Sequence, residues 1–266
     1  MTSTTSAELS AAAGARQRRR ALRTVGVLAF WLAVWQAVAM AVGQQIVLAS
    51  PVDVLSRLAA LVRTVAFWTT IGHSLLRIGA GFVVGALVAV LGAALAAGVP
   101  LVAALLAPLI STVRATPVVS FIILVILVTG TGRLAFVISA LMVVPVVYTN
   151  TLEGIAHRDR ALLEMAVVHR VPRLRRLPAI DVPAVLPFVV AGCETGVGLA
   201  WKSGIAAEVI GLPTGSIGER MYQAKIFLST PDLFAWTVVV VVLSVVFERL
   251  VRLALTAAER RWGGAA

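Results

Sequence analysis

The sequence is poor in cysteine, histidine and charged side chains. Its one cysteine, Cys193, excludes a framework of intrachain disulfides, and we interpret it as a small packing residue. The three histidines, His73, His157 and His169, lack the spacing of metal ligands, so no metal site is predicted. Charged residues make up 13% of the chain, about half the share of a typical soluble domain. These shortages argue against a soluble, disulfide-stabilised or metal-dependent fold.

Apolar residues dominate instead. They account for 60% of the chain and give a mean hydropathy of +0.98, which predicts an all-α integral membrane protein. A chain of 266 residues suits about six transmembrane helices. We place them at about residues 25–43, 71–97, 101–128, 134–153, 187–210 and 232–252. Residues 24–266 would form one transmembrane domain after a basic N-terminal tail, residues 1–23.

The net charge of +11 is distributed as membrane orientation requires. Five arginines precede residue 24, six lie in the segment 156–186 and four follow residue 248. Under the positive-inside rule this predicts a central cytoplasmic loop and two cytoplasmic termini. The basic tail and the apolar run after it could also be a signal peptide, but the run from Val25 is longer than is usual for one. No nucleic-acid-binding motif accompanies the charge, so no nucleic-acid partner is predicted.

The segment 156–186 carries a spaced motif. Glu164, Met165 and Ala166 occupy the positions of an E-A-A pattern, Arg170 stands where that pattern has glycine, and residues 180–183 (IDVP) match its I-x-L-P. The segment resembles the coupling loop of ABC-importer permeases. With Ser50-Pro51, SLLRIGAGF (74–82), AAEVIG (206–211) and the terminal Arg-Trp, the chain is most similar to the permeases grouped with nitrate, sulfonate and taurine uptake. Met165 and Arg170 depart from the alanine and glycine of the pattern.

The resemblance implies the type I importer permease fold and the role of transmembrane subunit in an ATP-driven importer. The partners it implies are two cytoplasmic ABC ATPase subunits docked on the loop, an extracytoplasmic substrate-binding protein, a second permease chain in a homodimer, and lipid of the bacterial cytoplasmic (inner) membrane. ATP and magnesium would bind the ATPase, and this chain would have neither cofactor nor enzymatic activity. The residues it assigns to ATPase coupling are Glu164, Met165, Ala166, Arg170 and Pro183.

The residues of the loop support a structured element independently of that resemblance. Asp159 can cap a short helix, which would carry a small apolar face on a basic background. The face consists of Leu162, Leu163, Ala166 and Val167. If the glycine of the pattern serves a left-handed turn, Arg170 there costs about 1 kcal/mol, although Pro172 nearby could allow the turn to be rebuilt. The alternative is a solvated basic loop that only fixes orientation.

Charges and a proline inside the predicted spans are candidates for the translocation path. A charge in hydrocarbon is costly unless it faces a partner or water. Pro108 and Pro117 are expected to interrupt the third span, and the backbone hydrogen bond that Pro117 removes is tolerated only where protein or water satisfies the freed carbonyl. The candidates are Arg114, Pro117, Glu194, Lys202 and Glu208. Arg114 and Lys202 are predicted at similar depth, so a dimer would place two positive charges from each chain around a central path, which favours a small polar, anionic solute. Alternatively, Glu194 lies two turns from Lys202 and the charges could pair within the bundle.

Two other functional classes fit parts of the sequence. An ion-gradient-driven secondary transporter could use Lys202, Glu194 and Glu208 as a relay, but such proteins show internal repeats, and none is evident here. A membrane scaffold without transport would leave the intramembrane charges unexplained. The segment GLAWKS (198–203) does not indicate ATP binding, because the glycine of a phosphate-binding loop is missing before its lysine.

Small residues recur every four positions in two of the predicted spans. Such stripes let a neighbouring helix approach closely. The first contains Gly81 and Gly85, and the second contains Gly192, Gly196 and Gly204. We predict that these glycines are helix-packing positions.

Overall fold

A computed structural model describes residues 23–263 except residues 24 and 28. The predicted basic tail therefore lies, apart from Arg23, outside the described residues. Within the described range the chain forms helices and loops and no strand. The helices are α1 (Val25–Val42), α2 (Pro51–Val62), α3 (Val65–Gly98), α4 (Pro100–Ala115), α5 (Val118–Thr129), α6 (Leu134–Ala156), α7 (Arg160–Val168), α8 (Arg173–Arg176), a π-helical turn (Leu177–Asp181), α9 (Val182–Gly211), α10 (Ile217–Ile226) and α11 (Thr230–Gly263).

The predicted membrane-spanning character is found in most of the long helices. Among the described residues four helical segments are long and apolar enough to cross a membrane: Val25–Val42, Val65–Gly98, Leu134–Ala156 and Leu174–Gly211. A fifth crossing results if α4 and α5 count as one bent span. The remaining predicted span, 232–252, falls within α11, which is not one of those four. The fold is all-helical, and the number of six spans stays a prediction.

The third predicted span is broken at Pro117. α4 ends at Ala115, Thr116 is extended, and α5 begins at Val118 with an axis turned by 111°. Pro108, which was also expected to interrupt this span, lies inside α4 without ending it. The break follows Arg114, which lies in the last turn of α4, so its predicted match to the depth of Lys202 stays a prediction.

The chain divides into two compact units, the smaller formed by residues up to 61 together with 224–235. In this unit the indole N–H of Trp35 donates to the Ala49 carbonyl at 3.1 Å, and Arg57 pairs with Asp232. α2 starts at Ser50-Pro51 because Ser50 and Asp53 form a reciprocal cap: the Asp53 amide donates to the Ser50 hydroxyl oxygen at 3.2 Å. The Ser50 hydroxyl donates in return at 2.7 Å and lowers the pKa of Asp53.

The larger unit, residues 62–223 and 236–266, is organised around α6. The glycine stripe of α3 lies against α6 so closely that a Cβ added at Gly85 would stand 2.7 Å from the Ala140 carbonyl oxygen. The stripe of α9 lies against α6 as well: the Ser139 hydroxyl donates to the Ala200 carbonyl at 3.0 Å, and a Cβ at Gly192 would stand 3.0 Å from the Asn150 Cβ. Both stripes thus pack against α6, and α3 and α9 also contact each other, since a Cβ at Gly204 would stand 2.6 Å from the Ile78 Cγ1.

Candidate functional site

The loop between α6 and α9 is structured throughout. Asp159 is the N-cap of α7, and its carboxylate accepts a hydrogen bond from the Ala161 amide at 2.8 Å, as predicted. The Arg175 and Arg176 amides donate to the Pro172 carbonyl, so Pro172 starts the short helix α8. The π-helical turn Leu177–Asp181 leads from α8 directly into α9. The segment is therefore more than a solvated connection.

α7 ends in a left-handed turn centred on Arg170. The Val171 amide donates to the Ala166 carbonyl at 2.9 Å and the Arg170 amide to the Val167 carbonyl at 3.0 Å, the pair of bonds that defines a Schellman motif. Arg170 has φ +50°, the backbone conformation that favours glycine. A left-handed turn is thus formed despite the arginine, and the idea that Pro172 lets the turn be rebuilt is wrong.

The apolar face predicted for α7 is turned partly inward. Ala166 is 2% exposed and Leu163 is half-buried, so the centre of that face packs within the chain. Leu162 and Val167 of that face are exposed, and so are Glu164, Met165 and Val168. Of the residues assigned to coupling, Ala166 therefore has a packing position, and Glu164 and Met165 are available to a partner.

Asp181 is buried between two arginines and was not among the predicted site residues. Its Oδ1 lies 2.5 Å from Arg158 Nη1 and its Oδ2 lies 3.0 Å from Arg176 Nε, while only 8% of the residue is exposed. Pro183, which was assigned to coupling, follows two residues later in the first turn of α9. The sequence does hold a signal for Asp181, since it is the only acidic residue between Glu164 and Glu194.

A cavity of about 550 Å³ opens beside this ion cluster. Arg158, Arg176 and Asp181 form its polar wall. The apolar wall comes from α3, α6 and α9 and includes Val90, Ala94, Ala97, Ile155, Val182 and Val185. The ion cluster therefore stands where three helices and the loop meet.

The candidate path residues fall into different environments. Glu194 pairs with Arg252, with 3.0 Å between Oε1 and Nε, rather than with Lys202. Lys202 is exposed and makes no ion pair or hydrogen bond with the described part of the chain. Arg114 is exposed too, and its nearest polar contact is a hydrogen bond of 3.4 Å to the Thr149 hydroxyl. It borders a second cavity, of about 590 Å³, together with Ser111 and Tyr148.

Glu208 holds the start of α10. It is fully buried, and its Oε2 accepts hydrogen bonds from the Ser74 hydroxyl at 2.8 Å and from the Gly218 amide at 3.3 Å. The Ile217 amide donates to the Ser74 oxygen at 2.9 Å. The two sequence motifs SLLRIGAGF and AAEVIG therefore meet at one hydrogen-bonded cluster. This agrees with an ordering role for Glu208, and its assignment to the path stays a prediction.

Comparison with known proteins identifies the family. The sequence profile described as "Binding-protein-dependent transport system inner membrane component" matches residues 81–262. A probable ABC transporter permease protein of Brucella melitensis is 31% identical over 81% of this chain and 86% of its own length.

Relatives of named specificity also match. The taurine transport system permease protein TauC of Escherichia coli is 26% identical over 92% of this chain and 91% of its own length. The bicarbonate transport system permease protein CmpB of Synechococcus elongatus is 28% identical over 59% and 57%. The matched region contains the loop, both glycine stripes and all the charged path candidates. The chain therefore belongs to the family of binding-protein-dependent transport system inner membrane components and is the permease subunit of an ABC importer.

Proposed function

We propose that the permease forms the translocation path for a small anionic solute delivered by a substrate-binding protein, and that Lys202 and Arg114 line this path. Lys202 carries the proposal. It lies in the candidate span Leu174–Gly211, is exposed, and has no carboxylate partner among the described residues. A lysine at the centre of a span facing hydrocarbon costs about 3 kcal/mol, so it is expected to face water or a partner chain.

The packing of α9 supports the same placement. Its buried stripe, which contains Gly192, Gly196 and Gly204, lies against other helices of the chain. Lys202, Leu199 and Thr195 are on the exposed side. This side would line the path in the assembled dimer, and Arg114 would contribute from α4 through the cavity beside Tyr148.

The remaining parts of the proposal concern the assembly. Two cytoplasmic ABC ATPase subunits would dock on the outward face of α7, a substrate-binding protein would dock on the opposite side of the membrane, and two permease chains would form a homodimer. The membrane would be the bacterial cytoplasmic (inner) membrane, with the α6–α9 loop inside. The chain itself would not be an enzyme, and ATP and magnesium would be bound by the ATPase. The family membership supports these partners and does not favour a secondary transporter.

The test is ATP-driven uptake in vesicles that contain the complete transporter and its binding protein. Radiolabelled taurine and bicarbonate serve as solutes, because relatives named for these two match the chain. Methanesulfonate is included because it has the sulfonate group of taurine. Lys202→Gln should lower uptake about tenfold, since a charge-assisted hydrogen bond to an anion is worth about 1.5–3 kcal/mol. Lys225→Gln, at an exposed lysine of α10, is the matched control and should leave uptake unchanged. Equal uptake by the two variants would contradict the placement of Lys202 on the path.

A further inference from the structure

The α6–α9 loop is closed by one ion cluster. Arg158 follows the end of α6, Arg176 ends α8, and Asp181 precedes the first residue of α9. The two arginine contacts to Asp181, at 2.5 Å and 3.0 Å, therefore join both ends of the loop. α7 lies in the segment between these ends, so Asp181 connects the last part of the loop to its first part.

Arg158 and Asp181 are each tied to a helix by a further hydrogen bond. Arg158 Nε donates to the Ile155 carbonyl in the last turn of α6 at 2.8 Å, so the Arg158 arm is tied to that helix. Asp181 is the last residue of the π-helical turn, and the Val182 amide donates back to the Leu177 carbonyl. The carboxylate is thus fixed to the start of α9 by the backbone. A displacement of the loop would reach α6 and α9 through the same side chain.

The cluster differs from the other charges of the loop. Arg160, Arg170 and Arg175 are exposed and make no ion pair with the described residues. Arg158 and Arg176 are about one-quarter exposed, and both face the single buried carboxylate. A partly buried carboxylate that bridges two arginines resists separation far more than an exposed ion pair does, because each charge would be left without its partner.

We propose that Asp181 is a positioning residue for coupling: it locks the loop to α6 and α9 so that a displacement of α7 by the ATPase moves both spans together. The proposal rests on the proposed function, because it requires an ATPase on α7. Without the lock, α7 would still bind the ATPase, but its movement would be absorbed in the loop. Loss of the lock is therefore expected to separate ATP hydrolysis from transport.

The test measures ATP hydrolysis and solute uptake in the same vesicles, which contain the complete transporter and its binding protein. The solute is whichever of taurine, methanesulfonate and bicarbonate the native transporter accumulates fastest. Asp181→Asn keeps the shape of the side chain and removes its charge. We expect the uptake per ATP hydrolysed to fall about tenfold, within the range that side-chain networks contribute to coupling between sites. Asp181→Glu retains the charge and should restore most of the ratio.

Two further variants keep the test informative if Asp181→Asn folds poorly. Arg176→Gln removes one arm and leaves the contact between Arg158 and Asp181, so an intermediate ratio is expected. Arg175→Gln changes the neighbouring exposed arginine and should leave the ratio at the native value. An unchanged ratio in Asp181→Asn, or a parallel fall of hydrolysis and uptake in every variant with a lowered melting temperature, would overturn the proposal. Failure of the native chain to bind an ATPase would instead refute the proposed function, before any substitution is made.

Discussion

At the scale of single residues, Arg170 has a left-handed backbone conformation that favours glycine. A residue with a Cβ in the left-handed region costs about 1 kcal/mol relative to glycine. Arg170 is exposed, and its side chain makes no hydrogen bond or ion pair with the described residues that would offset this cost. The arginine is therefore retained at this turn against local backbone preference.

Arg170→Gly should consequently raise the free energy of unfolding by about 1 kcal/mol, measured by thermal unfolding of the purified protein in detergent. Leu228→Gly is the matched variant, because Leu228 has φ +53° in a second turn, at the end of α10, that has the same pattern of hydrogen bonds. Val171→Gly, at the next residue of the turn but outside the left-handed region, should not stabilise the protein. A lower melting temperature for Arg170→Gly would show that the arginine side chain, and not the backbone, determines this turn.

At the scale of helices, the contacts of α6 determine how the larger unit packs. Glycines of α3 and α9 approach it from two sides, and the closest approach is to backbone atoms: a Cβ at Gly85 would stand 2.7 Å from the Ala140 carbonyl oxygen and 2.9 Å from the Ala140 Cα. Backbone atoms of a packed helix cannot rotate away as a side chain can. The space available for an added Cβ therefore differs sharply from one glycine to another.

Gly85→Ala should destabilise the protein by about 1–3 kcal/mol, because α3 and α6 would have to move apart. Gly198→Ala is the control: it lies in α9, and nothing comes within 4 Å of an added Cβ there. That variant should be neutral or stabilise the helix by up to about 1 kcal/mol. Melting temperatures in detergent measure both effects, and equal melting temperatures would contradict a close contact at Gly85.

The same elements show how far sequence reasoning extends. A four-residue glycine stripe predicts that some helix comes close, but it does not say which one, and α6 has no such stripe of its own to identify it. Pro117 predicted a break, because proline removes a backbone hydrogen bond, whereas the 111° between α4 and α5 depends on tertiary packing. Asp181 escaped prediction because one of its partners, Arg158, lies 23 residues away in sequence. Contacts at that separation exist only once the loop has closed.

At the scale of the whole molecule, the permease presents the short helix α7 to the proposed ATPase. Docking of the ATPase cannot be tested at Ala166, because this residue packs inward and a bulky residue there would disturb the loop itself. Glu164 has no such packing role, because it is exposed on the outward side of α7 beside Met165. Its substitution therefore tests docking without disturbing the fold.

Glu164→Lys should abolish co-purification of the ATPase subunit with the permease, because it reverses the charge of an exposed contact at the centre of the docking face, and like charges across an interface cost several kcal/mol. The melting temperature of the permease alone should stay at the native value. Glu153→Lys is the matched control: Glu153 is also exposed and acidic, but it lies in α6 before the loop, so the ATPase should still co-purify. Retention of the ATPase by Glu164→Lys, at native stoichiometry and with native uptake, would place the docking surface elsewhere on the chain.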